Sequence, residues 1–168
     1  MKNIVLIGMP GSGKSTVGVL LAKMTGRMFL DSDLLIQQAE GKRLFEIIRD
    51  NGGDYFKEAE NRVNSAIDVN NTVIATGGSV VYCDEAMEHL RSIGTVVYLK
   101  VACDGIVRRI SDLPTRGVLI GEGCTMEDLY NERAALYEKY ADITVECGGD
   151  DVSENARRIT EAISKIQK

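Results

Sequence analysis

The stretch Gly8-Met9-Pro10-Gly11-Ser12-Gly13-Lys14-Ser15 limits the folds open to this chain more than any other, because it fits G-x-x-x-x-G-K-[ST] at a strand-to-helix junction. Residues 3–7 form a short apolar run suited to a buried strand, and the residues after Lys14 keep helical periodicity to about Met24, with Gly26 as the stop. Glycines let backbone N–H groups turn inward around phosphate oxygens with no Cβ in the way. The helix that follows aims its positive end at the same anion. Lys14 supplies a full charge to β and γ phosphates, and the Ser15 hydroxyl is placed to ligate Mg²⁺. The chain therefore reads as a binder of nucleoside triphosphate.

The rest of the sequence repeats the alternation. Residues 28–30 are a second strand ending in Asp31-Ser32-Asp33, and 34–70 read as helix throughout, interrupted near Gly41 and at Gly52-Gly53. A third strand at 72–75 enters Thr76-Gly77-Gly78, a helix covers 84–91, and a fourth strand covers 95–101. Residues 103–111 are helical again, whereas 112–124 hold a proline and three glycines with no period, which predicts a mobile loop. A helix at 126–140, a strand at 143–146 and a helix at 152–166 complete the pattern. Strands alternating with helices predict an α/β fold with right-handed crossovers and a parallel sheet covered on both faces. No linker or repeat divides residues 1–168, so one domain is expected.

Composition removes several classes of chemistry. A formal charge of −5 argues against binding nucleic acid or an anionic membrane, but not against a small anion in a local basic pocket. His89 is the single histidine and reads as a surface helical residue, so His-rich zinc sites and paired-histidine mechanisms are excluded. The four cysteines, at 83, 103, 124 and 147, include no C-x-x-C pair and read as reduced thiols of a cytoplasmic protein. The apolar start is too short for a signal peptide, and no run approaches a membrane span.

A switch GTPase needs an N-K-x-D segment, which is absent; Asp50-Asn51-Gly52-Gly53 matches D-x-x-G but falls in a helical stretch. A short chain with a late glycine-rich loop suits a small-molecule kinase, whose lid must keep water from the transferred phosphoryl group.

From the Gly8 loop to the last helix the sequence resembles the shikimate kinases, small ATP-dependent kinases of aromatic amino-acid biosynthesis. The resemblance implies a five-stranded parallel sheet in the order 2-3-1-4-5, with ATP and Mg²⁺ as cofactors. It implies conversion of shikimate to shikimate 3-phosphate by a monomer, with acceptor-binding helices at about 33–62 and a lid at about 112–124. Gly11, Ser12, Gly13, Lys14, Ser15 and Thr16 would surround the phosphates, with Arg109 against adenine and Arg116 facing the phosphates from the lid. Asp31, with Ser15, would hold the Mg²⁺ shell, and Asp33 would bind acceptor hydroxyls and serve as the base. Arg133 matches a carboxylate ligand on the helix that also carries Tyr137.

Three departures stand out. In Phe56-Lys57-Glu58-Ala59-Glu60 the family's Arg is Lys57, which keeps the charge but loses the two-pronged grip on a carboxylate. The family's third acceptor-side glycine is Ser79, after Gly77 and Gly78, and the lid's Arg-Pro is Arg116-Gly117. Because Lys57 and Ser79 both fall on the acceptor side, a same-fold kinase for a sugar, another hydroxy acid or a nucleoside monophosphate stays open, as does a catalytically silent ATP-binding protein.

Overall fold

The computed structural model describes residues 2–110, 123–148 and 151–166. Five strands among them, β1 (Asn3–Ile7), β2 (Met28–Asp31), β3 (Thr72–Ala75), β4 (Gly94–Lys100) and β5 (Ile143–Glu146), form one sheet in the order β2-β3-β1-β4-β5. All four pairings are parallel, with Val5 opposite Ile74 on one side and Val96 on the other. The α/β class and the 2-3-1-4-5 order expected above are both present.

Central strands in such a sheet are covered on both faces, which is why β1 and β3 read as unbroken apolar runs and are buried along their whole length. The edge strand β5 alternates buried and exposed residues instead. Asn3 ties the entry ends together: its Nδ2 donates to Val69 O at 2.7 Å and Ile93 O at 3.1 Å, and its Oδ1 accepts from Thr72 N at 3.0 Å.

The helices are α1 (Lys14–Thr25), α2 (Ser32–Glu40), α3 (Leu44–Asn51), α4 (Gly53–Ser65), α5 (Asp84–Ile93), α6 (Cys103–Arg109), α7 (Met126–Tyr140) and α8 (Val152–Ile166). α1 and α8 pack on each other, while α4, α5 and α7 meet around a short 3-10 turn, Val80–Tyr82, that sequence periodicity did not reveal. The stretch 34–70 is broken where expected, near Gly41 and at Gly52-Gly53. Gly41 and Gly52 adopt left-handed φ of 65° and 88° and divide it into α2, α3 and α4, and residues 66–71 are not helical. A smaller apolar cluster of Ile36, Ile47 and Phe56 fastens these three helices together.

Helix α2 begins at Ser32, two residues earlier than expected, so Asp33 lies in its first turn. Asp31 is the N-cap, its Oδ1 accepting from Asp33 N at 3.0 Å. His89 is half-buried rather than a free surface residue, with Nε2 2.8 Å from Ile67 O.

Candidate active site

The carboxyl ends of β1, β2 and β3 open into one cavity of ≈ 430 Å³, the place where open parallel sheets bind ligands. Its lining includes residues 10–17, Asp33, Thr76, Gly77, Gly78, Ser79, Arg109, Arg133 and Asn155. Sequence-distant groups singled out above therefore converge on a single space.

The loop after β1 lines this cavity and takes its shape from left-handed glycines, Gly11 at φ 77° and Gly13 at φ 91°, which a side chain would strain. Lys14 is buried, and its Nζ donates to Gly8 O at 2.8 Å and Met9 O at 2.9 Å. Burial pushes its pKa down to about 8, against the opposing pull of Asp33. Ser12 Oγ is buried with no hydrogen-bonding partner among the described residues. An orphaned hydroxyl and a desolvated ammonium on a glycine loop that opens a helix fit a polyphosphate.

Ser15 is exposed, and its hydroxyl donates to Asp31 Oδ2 at 2.6 Å. A hydroxyl and a carboxylate meeting beside the phosphate loop are hard oxygen donors of the kind Mg²⁺ takes alongside phosphates and water. Among the described residues no cluster of three or more His, Cys, Asp or Glu could hold a metal alone. The donor set therefore fits Mg²⁺ arriving with a nucleotide.

On the acceptor side Asp33 is raised to about 6, first by burial and then by Asp31, with Lys14 pulling the other way. Glu60, on α4, is fully buried and raised to about 8, chiefly by burial. Ser79 Oγ donates to Glu60 Oε2 at 2.6 Å, so the side chain that replaces the expected glycine is turned onto Glu60. Tyr137 pins the same segment by donating to Gly78 O at 2.6 Å, its ring stacked on Tyr98 with centroids 5.0 Å apart.

Arg133 is 1% exposed although it lies on a helix rich in solvated charge. Its guanidinium sits 5.3 Å from the centroid of the Tyr82 ring and its Nε donates to Tyr82 Oη at 3.3 Å. Lys57 is exposed and does not line the cavity. Its Nζ reaches Asp54 at 3.8 Å and stands 5.7 Å from the same Tyr82 centroid. Lys57 and Arg133 thus meet through an aromatic ring that the sequence reading did not single out. Arg109, beside Gly11, and Val152 and Asn155 of α8 also line the cavity. Arg116 lies outside the described residues, as does the 112–124 segment apart from its last two residues.

The shikimate kinase family profile matches residues 10–164. The chain belongs to the shikimate kinase family. A Clostridium botulinum shikimate kinase is 39% identical over 143 residues, 83% of this chain and 84% of that protein. A Caldanaerobacter subterraneus shikimate kinase is 35% identical over 170 residues, 99% of each chain. Among solved structures, a shikimate kinase from Acinetobacter baumannii in complex with shikimate superposes with a TM-score of 0.87 at 30% identity, covering 98% of this chain and 94% of that one.

As a member of the shikimate kinase family the chain is an ATP-dependent small-molecule kinase, and its departures stand out against that background. Of the residues that the resemblance singled out, the phosphate loop, Asp33, Arg109 and Arg133 line the cavity. The sequence reading gave no role to Asn155, which lines the cavity, or to Glu60 and Tyr82, which hold its lining residues Ser79 and Arg133. Only Glu60 carried a signal, as the last residue of the Phe56 to Glu60 segment.

The buried carboxyl of Glu60 has a consequence for stability. Its folded pKa of about 8 lies above the ordinary 4.5, so between these values the folded chain holds more protons than the unfolded one. Stability then falls as pH rises through that window, by up to about 1.4 kcal/mol per pH unit. Urea melts from pH 5 to 8 are expected to show this slope, and Glu60→Gln is expected to flatten it.

Proposed function

We propose that this chain transfers the γ-phosphoryl group of ATP to the 3-hydroxyl of shikimate, giving shikimate 3-phosphate and ADP. One observation carries the reading: Lys14, Asp33 and Arg133 line the same cavity from three different helices. A cation for the phosphoryl group, a carboxylate for a hydroxyl and a buried guanidinium for an acid describe a hydroxy-acid acceptor. The family match and the shikimate-bound neighbour support the same acceptor.

The residues divide the work as follows. Gly11, Ser12, Gly13 and Thr16 cradle the phosphates, and Ser15 and Asp31 would hold Mg²⁺, which supplies charge neutralisation when bound. Lys14 neutralises charge that develops on the transferred group, and Arg116 adds to it from the lid. Asp33 orients the attacking hydroxyl and accepts its proton. Arg133 binds the acceptor carboxylate, with Gly77, Gly78 and Ser79 forming the floor beneath the ring. Arg109 packs against adenine. We place the activity in the cytoplasm, in one monomeric domain over residues 1–168; among the described residues no helix is long and apolar enough to cross a membrane.

A coupled assay of ADP release with and without shikimate tests the proposal. Release that depends on shikimate supports it. Release stimulated only by a sugar, another hydroxy acid or a nucleoside monophosphate assigns a different acceptor, and no release in any case marks a silent nucleotide binder.

Lys57 provides a finer test. Its ammonium stands outside the cavity lining but 5.7 Å from the centroid of the Tyr82 ring that also meets Arg133, and a longer, forked guanidinium there would reach for the acceptor acid from a second side. Lys57→Arg is expected to lower KM for shikimate about 3- to 10-fold with kcat little changed. An unchanged KM removes Lys57 from the acceptor site.

A further inference from the structure

Two carboxylate oxygens in the acceptor pocket are buried with no hydrogen-bonding partner among the described residues: Asp33 Oδ1 and Glu60 Oε1. They border the same small space over Gly77. A Cβ placed there would collide with Glu60 Oε1 and come within 2.8 Å of Asp33 Oδ1, so only glycine leaves the gap between them open. Two buried acceptors facing one another repel when both are charged, and a single proton between them satisfies both. The neighbourhood indicates which group carries it. Glu60 is fully buried, whereas Asp33 borders the open cavity. Glu60 Oε2 already accepts from Ser79, so a proton on Glu60 is left to Oε1, the atom on the Asp33 side of the gap. Burial dominates and Asp33 adds to the rise, outweighing the Ser79 hydrogen bond and the cations that face Glu60, Arg133 from α7 and Lys14 from α1, all of which favour its ionised form.

We propose that Glu60 is a positioning residue that stays a neutral acid and donates from Oε1 to Asp33 Oδ1, with Ser79 fixing which oxygen holds the proton. Asp33 is thereby held with Oδ2 left to the cavity and the acceptor hydroxyl. Ser79 then takes part in the site by orienting Glu60. The proposal rests on Asp33 as the group that receives the hydroxyl, but its test reads Glu60 itself.

Infrared difference spectra of the full chain at pH 7, wild type minus Glu60→Gln, are expected to show the C=O stretch of one protonated carboxylic acid. Its absence overturns the proposal, whatever Asp33 does. In steady-state kinetics Glu60→Gln keeps both a donor and an acceptor in place, so kcat is expected to stay within about 3-fold of wild type, whereas Glu60→Ala is expected to lose about 10- to 100-fold in kcat with a smaller change in KM for shikimate. If Glu60→Gln falls as far as Glu60→Ala, a negative charge is what the site needs, and the neutral acid is refuted. Ser79→Ala guards against a misfolded Glu60→Ala: it is expected to lower kcat about 3- to 10-fold, by freeing the acid to turn. An unchanged kcat in Ser79→Ala removes Ser79 from the relay.

Discussion

Asp33→Asn is expected to lower kcat for shikimate phosphorylation by about 10²- to 10⁴-fold, the range for loss of a positioned general base, while ATP affinity stays within about 3-fold of wild type. The substitution is isosteric, and the backbone N–H of residue 33 still donates to Asp31 Oδ1, so the start of α2 and its cap are kept. What is lost is the one carboxylate among the described residues that line the cavity. Asparagine can hold a hydroxyl in place but cannot take its proton, so the defect belongs in kcat more than in KM. ATP affinity is spared because the loop amides, Lys14 and Ser15 are untouched. Nucleotide titration of the variant together with the ADP-release assay checks both halves. An unimpaired rate would falsify the role of Asp33 as base, and a joint loss of rate and nucleotide binding would show instead that it supports the phosphate loop through Lys14.

The loop was legible in the sequence because its cause is local: glycines at left-handed positions, then a lysine and a serine on the first turn of a helix, all within eight residues. The strands were legible for a similar reason, since a strand covered on both faces reads as an apolar run. Their order was not, because neighbours such as β1 and β4 are about ninety residues apart and periodicity carries no pairing information. It came from resemblance. Arg133 shows the same limit. Among the charged residues of α7 nothing local sets it apart, yet it alone of them is buried.

Glu60 and Ser79 were harder still. Each is ordinary in its own segment, and their meaning arises only when α4 and the turn after β3 are brought within 2.6 Å. The resemblance marked Ser79 as a side chain intruding on the acceptor, and packing turned it into a hydrogen-bond donor to a buried acid. Lys57 moved the other way. Its position matches a substrate-binding arginine, but its ammonium sits on the exposed surface of α4 near Asp54, because a helix one turn long between Asp54 and Lys57 sets those two side by side.

Lys14→Met is expected to separate activity from stability. In the proposed role Lys14 brings a full charge to the phosphates, so its removal is expected to lower kcat about 10³-fold and to weaken nucleotide binding as well. The ligand-free protein responds differently. Without an anion, Lys14 is a buried ammonium whose pKa of about 8 lies below the ordinary 10.5. Below pH 8 the cost of burying that charge is fully present. Between about 8 and 10.5 the unfolded chain holds more protons, and stability rises with pH by up to about 1.4 kcal/mol per unit. Methionine keeps the length of the side chain and removes this term. It also abandons the bonds to Gly8 O and Met9 O, each a loss of about 1 kcal/mol. The larger desolvation term wins, so the ligand-free variant at pH 7 is expected to melt at or a few degrees above wild type, with the rise in stability above pH 8 gone. ATP with Mg²⁺ is expected to raise the Tm of wild type far more than that of the variant. A ligand-free variant that melts well below wild type would mean that Lys14 holds the loop together rather than waiting in it, at a cost in stability, for the phosphates.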